Sequence, residues 1–428
     1  MQYTTTSIET TLSFLANHKS IPQKSAEWLA ARKNLIAASE AGYLLGIKST
    51  SSMINYIKAK CHLFTSLDNL GKLDSIRHGN IYEDVARKIY QSRHRVIVAE
   101  YGLITTAKHT FLGASPDGIV IREHYTSSSE QLQSIAESRI GRLVEIKNPY
   151  DYDPSDIIKP EYAVQILQQQ FVLDLPKCDF IKTNIIGAIV NDKTANKGFK
   201  PYSDIDAFLA DRISDIQRPA IEPANKNIPI ENLTCKGMEK GIIIHYKEPS
   251  SGQYITHLYP LETPYTKTDI LEWIKTTKNH ISSETGLGKS VIAVEYWYLA
   301  AYYEKTLEYD SQLFENIYLP RLELVWQLIT RIRQMQEIHK PELILQFIDT
   351  TLKTHINRSS AFYKSSTNQK EICNLLESAL KLEMEMQVEI KKKQLDEKPN
   401  TNEKNLQENK KDKTKKQARN KIIIEYDF

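Results

Sequence analysis

Apolar residues follow two different periods along this chain, and each change of period marks a predicted element. RVIVAEYGLITT, HTFLGASPDGIVI, RLVEIKNPY and DFIKTNIIGAIV are short apolar or alternating runs, which predict strands. EYAVQILQQQFVLDL repeats its apolar residues every three or four positions, which predicts a helix. GIIIHYKEPSSGQYITHLYP places two apolar runs around a Pro-Ser-Ser-Gly turn, which predicts a hairpin.

Further helices are predicted before and after these strands. One begins in SAEWLAARKNLI with Ser25 as its cap, and another begins in AASEAGYLLGI. A third is predicted from Asn80, with Gly79 before it as a loop residue. From Thr266 onward the pattern predicts helices, including VIAVEYWYLAAYYEKTL and SQLFENIYLPRLELVWQLITRIRQMQEI, and it predicts another over 369–393.

The length of 428 residues leaves room for two or three domains of ~100–200 residues each. We predict a core over 1–225, a hairpin and helical extension over 226–395 that packs on it, and a basic tail over 396–428. Residues 391–421 contain 12 Lys/Arg against 5 Asp/Glu, although the whole chain carries only +3. This tail is interpreted as a nuclear import signal, a nonspecific DNA tether or a solvated disordered segment.

The composition is that of an ordinary globular protein, with 41% apolar and 25% charged residues. No apolar run approaches the ~20 residues of a membrane span, so an intracellular protein without a membrane partner is predicted. Four widely separated cysteines without a C-x-x-C pair favour neither a disulfide framework nor a zinc or iron–sulfur site.

The candidate chemistry lies in two predicted strands between positions 111 and 150. Asp117 follows a Ser-Pro pair, and Glu145 precedes Lys147 by two residues. Alternate side chains of a strand share a face, so Glu145 and Lys147 point together while Ile146 points into the core. If the two strands pair, Asp117 joins them. Two carboxylates beside a lysine suit divalent cations and metal-assisted phosphodiester hydrolysis.

Weaker candidates flank this pair of strands. Arg32 and Ser39 near a helix N-terminus suit a phosphate, although a solvated arginine and a capping serine are the ordinary interpretation. Glu83 lies on a predicted helix upstream. Gln165 shares one side of its predicted helix with Tyr162 and Gln169 and can bind a phosphate oxygen or a water, although a generic Gln-rich surface remains open.

Read in order, the motifs resemble those of the PD-(D/E)xK nucleases. More narrowly they resemble the lambda-exonuclease family, which includes YqaJ-type viral recombinases and the alkaline nucleases of large DNA viruses. The matching motifs are W-x-x-x-R at Trp28–Arg32, A-S-E at Ala38–Glu40, G-x-x-x-E at Gly79–Glu83, G-A-S-P-D-G at Gly113–Gly118, E-I-K-N-P at Glu145–Pro149 and Y-x-x-Q at Tyr162–Gln165. The similarity covers about residues 25–190.

The resemblance implies a mixed α/β (α+β) fold with a restriction-endonuclease-like core, in which helices flank a central mixed sheet, plus a C-terminal helical extension. It implies metal ligation by Asp117, Glu145, the Ile146 carbonyl and Glu83. Catalytic roles are implied for these three carboxylates, for Lys147 on the attacking water and for Gln165 on that water or the phosphate. A 5′-phosphate pocket is implied at Arg32, Ser39 and Ser115. The family often has a second glutamine two residues after the first, where this chain has Leu167, so the role of Gln169 is open.

The implied function is a Mg²⁺-dependent exonuclease that degrades double-stranded DNA from 5′ ends, with two ions and Mn²⁺ as the alternative metal. A single-strand annealing protein is the implied partner, and the host nucleus or cytoplasm the implied location for a viral protein. Either a ring-forming trimer or a monomer fits. The alternatives are an endonuclease or RNA-degrading nuclease on the same core, and a catalytically silent DNA-binding protein.

Overall fold

The computed structural model describes residues 5–63, 74–123, 138–189, 205, 240–248, 254–260, 266–288, 291–336 and 340–353. They all lie in the first of two compact units, Met1–Gln369 and Lys370–Phe428. Residues 124–137, 190–204 and 206–239 lie outside the described residues, and so do the helix predicted over 369–393 and the tail.

The described residues form both helices and strands, in runs along the chain. The helices are α1 (Thr5–Asn17), α2 (Ala26–Lys33), α3 (Ala38–Leu44), α4 (Thr50–Lys60), α5 (Asp74–His94), α6 (Pro160–Leu173), α7 (Lys267–Thr285), α8 (Leu319–Met335) and α9 (Pro341–Gln346). The strands are β1 (Ile36–Ala37), β2 (Val96–Ala99), β3 (Ile104–Thr105), β4 (Leu112–Ala114), β5 (Gly118–Glu123), β6 (Leu143–Lys147), β7 (Lys177–Ile189), β8 (Lys240–Lys247), β9 (Tyr254–Leu258) and β10 (Ala293–Glu308). A short α turn (Ser311–Leu313) and a π-helical turn (Phe314–Tyr318) precede α8, and a π-helical turn (Phe347–Leu352) follows α9.

Within the described ranges the strands form two sheets. The larger has the order β2-β5-β6-β7-β10-β8-β9, and the smaller has the order β1-β4-β3. β6 and β7 are parallel, while the other pairs of the larger sheet are antiparallel. The crossover between β6 and β7 contains α6, as parallel neighbours require. The predicted α/β fold with helices flanking a central mixed sheet is confirmed.

The two faces of the larger sheet have different neighbours, and β6 contributes to both. Val144 and Ile146 lie in the apolar core that the sheet shares with Val85 and Ile89 of α5. The intervening Glu145 hydrogen-bonds to side chains of α6. The predicted alternation along this strand is therefore confirmed, and it turns the polar side chains of β6 away from the core.

The helix predicted over VIAVEYWYLAAYYEKTL is wrong, because Ala293–Glu308 forms β10 between β7 and β8. A central strand buries both of its faces and reads as a continuous apolar run, which periodicity cannot separate from a buried helix. Trp297 packs in this strand against Gly241. A Cβ on Gly241 would lie only 2.5 Å from the indole ring, so this glycine provides the space. The predicted hairpin is confirmed as β8 and β9.

The loop position predicted for Gly79 is also wrong, because α5 begins at Asp74 and continues through it. A glycine inside a helix costs about 1 kcal/mol relative to alanine, which a well-packed helix of 21 residues tolerates. The helix α1 was not predicted. None of the helices in the described ranges is both long and apolar enough to cross a membrane.

A buried network of charges ties α5 to the face of the sheet opposite Glu145. Asp179 of β7 accepts hydrogen bonds from Tyr90 at 2.6 Å and from Arg139. The same arginine contacts Glu304 of β10 at 2.9 Å, and Glu304 contacts His94 at 2.7 Å. Asp179 is fully buried, so these hydrogen bonds and ion pairs offset the free energy lost when its carboxylate leaves water.

We expect this network to make the fold sensitive to acid. Burial lowers the pKa of His94. Burial by itself would raise the pKa of Glu304, but the hydrogen bond and charge of His94, together with the charge of Arg139, outweigh it and lower the pKa of Glu304 to about 2. Both folded-state pKa values lie below the unfolded ones, so the unfolded chain takes up protons first as the pH falls below about 6.5. The free energy of unfolding, measured with urea from pH 7 to pH 3, should therefore fall, and Glu304 should account for about 2 kcal/mol of that fall by pH 3.

The glutamine variant of Glu304 isolates this contribution. Glu304→Gln should flatten the loss of stability between pH 5 and pH 3. Glu308→Gln is the control, because Glu308 lies on the same strand with 67% of its side chain exposed and pairs with Lys177 at the surface. Equal flattening in both variants would contradict the assignment.

Candidate active site

The two predicted acidic side chains meet where β5 and β6 begin to pair. Gly118 is paired with Val144, which brings Asp117 opposite Glu145. The Oδ2 atom of Asp117 accepts a hydrogen bond of 2.7 Å from the backbone N–H of Ile146. The carboxylates, 28 positions apart in the sequence, thus lie on one surface of the sheet.

Glu145 is held by two glutamines of α6. Gln165 donates to its Oε1 at 2.6 Å, and Gln169 donates to its Oε2 at 2.7 Å. Residues four positions apart lie on the same face of a helix, which is why both amides reach one carboxylate. The Gln169 role that the sequence left open is therefore contact with Glu145 itself.

Lys147 completes this side of the site. Its ammonium pairs with Glu145, lies 3.3 Å from the Oε1 of Gln165 and stands 5.0 Å from the centre of the Tyr162 ring. Burial disfavours the charged amine, but the charges of Glu145 and Asp117 outweigh that effect and raise the pKa of Lys147. The side chain is therefore a cation that neutralises part of the carboxylate charge.

The electrostatics around Asp117 are those of a crowded acidic site. Burial, followed by the charges of Glu145 and Glu83, raises the pKa of Asp117 well above its ordinary range. Negative charge is concentrated here beyond what Lys147 and the N–H of Ile146 offset. Such a site favours a ligand with positive charge.

The donor atoms fit a hard divalent cation. The N–H and the C=O of one strand residue point to the same edge, so the Ile146 carbonyl lies on the side of Asp117, as its N–H does. Two carboxylates and a carbonyl are oxygen ligands of the kind that Mg²⁺ prefers. Among the described residues, however, no group of three or more His, Cys, Asp or Glu side chains is arranged to hold an ion, so Glu83 does not complete a three-carboxylate cluster.

Glu83 of α5 is close enough to Asp117 for its charge to act on that carboxyl. Two basic residues that were not predicted from the sequence contact this region. Lys24 lies 3.4 Å from the Glu83 carboxylate and has a positive φ of 65°, a conformation that non-glycine residues rarely adopt. Arg87, one helical turn after Glu83, donates to the backbone carbonyl of Asp117 at 3.0 Å. Only the i, i+4 spacing of Glu83 and Arg87 was visible in the sequence.

The structure brings together the three residues predicted for a 5′-phosphate pocket. Arg32 of α2 donates to the Oγ of Ser39 at 3.0 Å and lies over the Trp28 ring at 4.3 Å. The indole N–H of Trp28 donates to the Oγ of Ser115 at 3.0 Å. Because Ser115 precedes Asp117 by two residues, this cluster adjoins the carboxylate pair.

A buried lysine that was not predicted from the sequence contacts the backbone of this cluster. Lys60 pairs with Glu40 at 2.7 Å and donates to the carbonyls of Leu35, at 2.6 Å, and Arg32. Glu40 lies 3.4 Å from the guanidinium of Arg32. Arg32 and Lys60 thus pair with the same carboxylate, so the cluster keeps a net positive charge that can attract an anion.

We expect Gln169→Met to reduce turnover because it removes one of the two donors that orient Glu145. Loss of a residue that orients a ligand costs about 10–100-fold in activity or metal affinity, and the lower value applies here because Gln165 remains. The change should lower kcat and raise the Mn²⁺ concentration needed for half-maximal rate.

The matched control is Gln170→Met. Gln170 is equally buried on α6 but donates to the carbonyls of Pro176 and Leu307. If both variants lose the same activity, general loosening of α6 is the cause and the orienting role of Gln169 is wrong.

Comparison with known proteins finds similarity in the segment that contains the site. The family model described as the YqaJ-like viral recombinase domain matches residues 27–176. The uncharacterized protein R354 of Acanthamoeba polyphaga mimivirus is 24% identical over 344 residues, which are 77% of this chain and 57% of that protein. This chain therefore spans less than two thirds of that relative's length.

Two solved structures of one enzyme are also similar. They are crystal structures of LHK-Exo, the alkaline exonuclease of Laribacter hongkongensis, one of them in complex with dAMP. They are 26% and 25% identical to this chain, cover 37% of it and 74% of their own chains, and have TM-scores of 0.29. The segment matched by the family model includes all the predicted site residues, so the resemblance predicted from the motifs is confirmed there and supports a nuclease.

Proposed function

We propose that this chain, whose residues 27–176 match the model of the YqaJ-like viral recombinase domain, is a Mg²⁺-dependent exonuclease that hydrolyses duplex DNA from 5′ ends. One observation carries the proposal. The carboxylate pair Asp117 and Glu145, with Lys147 beside it, adjoins a separate cluster that suits a phosphate. An exonuclease needs a hydrolytic site next to a site that binds the end of the strand.

Asp117, Glu145 and the Ile146 carbonyl would hold the metal, with Glu83 joining through a coordinated water. The chemistry that bound Mg²⁺ supplies is a lowered pKa for a coordinated water and neutralisation of charge that grows on the phosphate. Mn²⁺ suits the same oxygen ligands, and two ions suit a site that must stabilise both the attacking and the leaving oxygen.

The side chains around the carboxylates have positioning roles in this proposal. Lys147 directs its Nζ at the position between Glu145 and Gln165 and would orient the attacking water. Gln165 contacts both Glu145 and Lys147, so it would keep them in a fixed relation and position the water or the scissile phosphate. These side chains would act by orienting the reactants, which can lower a reaction barrier by several kcal/mol.

The preference for a 5′ end is proposed from the Arg32 cluster. A guanidinium offers a planar fork to phosphate oxygens, and the hydroxyls of Ser39 and Ser115 add donors beside it. A terminal phosphate carries more negative charge than an internal one and would bind here preferentially.

The experiment that tests the proposal is digestion of linear duplexes labelled separately at each end, with Mg²⁺ and with EDTA. We expect Mg²⁺-dependent release of nucleotides from the 5′ label first, which leaves 3′ single strands suited to an annealing protein. Digestion of closed-circular DNA would favour an endonuclease, and digestion of RNA a ribonuclease. Absence of hydrolysis on every substrate would favour a silent DNA-binding protein.

A further inference from the structure

Gln168 lies between the two glutamines that hold Glu145, but its amide points elsewhere. It is fully buried, and its Nε2 donates to the carbonyls of Ile36 at 2.8 Å and Gly113 at 3.1 Å. These carbonyls belong to β1 and β4, which are paired in parallel, with Ile36 opposite Leu112 and Ala37 opposite Gly113. One amide group thus joins two neighbouring strands to α6.

Each of these strands leads directly into a part of the proposed 5′-phosphate pocket. β1 continues without a loop into α3, so Ser39 follows Ile36 by three residues. β4 leads to Ser115, two residues after Gly113, and then to Asp117. The bridge from Gln168 therefore acts on the backbones that carry the two pocket serines.

The same helix also holds the catalytic carboxylate. Gln165 and Gln169 donate to Glu145 from the adjacent turns. α3 and α6 pack closely, since a Cβ on Gly42 would lie 2.8 Å from the Cα of Glu161. α6 is therefore in contact with both parts of the proposed site.

We propose that Gln168 is a positioning residue that sets the 5′-phosphate pocket at a defined distance from Asp117 and Glu145, and so determines the preference for 5′-phosphorylated ends. The proposal rests on the function proposed above. Its physical basis is that a donor shared by two backbone carbonyls keeps both strands in register with one helix. A displacement of about 1 Å between a bound end and the reacting centre can cost 10²-fold in rate.

Gln170 shows what a purely structural glutamine of this helix does. It is as buried as Gln168, and its amide also bridges two carbonyls, those of Pro176 at 2.9 Å and Leu307 at 3.2 Å. Those carbonyls lie next to the start of β7 and near the end of β10. The two residues thus match in chemistry and burial and differ in the segments that they join.

The experiment compares Gln168→Met with Gln170→Met in the full chain. The measured quantity is kcat/KM on duplexes with a 5′-phosphate divided by kcat/KM on duplexes with a 5′-hydroxyl, in Mg²⁺. We expect Gln168→Met to lower this ratio by about tenfold or more and Gln170→Met to leave it unchanged. An unchanged ratio in Gln168→Met, or an equal fall in both, would overturn the proposal.

A second measurement does not depend on nuclease activity. Hydrogen exchange in Gln168→Met should speed up in segments 35–41 and 111–117, and in Gln170→Met near 174–178 and 305–309 instead. Gln168→Asn, which keeps the amide but withdraws it by one methylene, replaces Gln168→Met if the latter does not fold. Exchange at 35–41 and 111–117 that stays at the native rate would overturn the positional claim. Native protein without hydrolysis would instead contradict the proposed function.

Discussion

Replacing Asp117 with asparagine should lower the single-turnover rate of DNA hydrolysis by at least about 10³-fold, since loss of a metal site costs several kcal/mol of transition-state stabilisation. The substitution removes a negative ligand but keeps its size and an oxygen that can accept the N–H of Ile146. Titration with Mn²⁺ should show weaker binding in parallel.

The same change should not destabilise the fold. Glu145 and Glu83 repel the charge of Asp117, so the neutral side chain relieves that repulsion, and the melting temperature without metal should stay equal or rise. Lost activity with retained stability distinguishes a catalytic residue from a structural one. The exposed Asp151, in the loop after β6, provides the control variant Asp151→Asn. Near-native hydrolysis by Asp117→Asn would show that the site is wrongly assigned.

Arg32→Ala should weaken the use of 5′-phosphorylated ends by about 10–150-fold, the equivalent of one charge-assisted hydrogen bond of ~1.5–3 kcal/mol. The guanidinium contacts Ser39 and stacks on Trp28, so it is held in place before a phosphate arrives. Preorganisation of this kind favours binding because little freedom is lost on contact. The effect should appear mainly in KM.

The discriminating measurement is the same substitution on duplexes with 5′-hydroxyl ends, where the loss should be small. Lys33→Ala removes an exposed cation from the next position and serves as the control for general attraction to DNA. We expect it to weaken both substrates slightly and equally. If Arg32→Ala weakens phosphorylated and hydroxyl ends to the same degree, the arginine does not form a 5′-phosphate pocket.

Local sequence pattern was sufficient for the parts of this protein in which neighbours in the chain are neighbours in space. The alternation of Val144, Glu145 and Ile146 predicted which side chains leave the core, and the i, i+4 spacing of Gln165 and Gln169 predicted a shared helix face. The acidic motifs predicted the two carboxylates because a pair of carboxylates beside a lysine suits metal-assisted hydrolysis of a phosphodiester.

The sequence by itself determined the strands β5, β6 and β7, the helix α6, the faces of β6 and α6, and the residue types that carry the chemistry. Only the tertiary structure decided that Trp28 reaches Ser115, that Gln168 joins β1 to β4, and that Ala293–Glu308 is a central strand rather than a helix. The physical reason is that periodicity records which side chains share a face, whereas the partner of a buried polar group is set by segments far away in the chain. Gln168 and Ile36 are 132 positions apart, and nothing local to either one specifies the other.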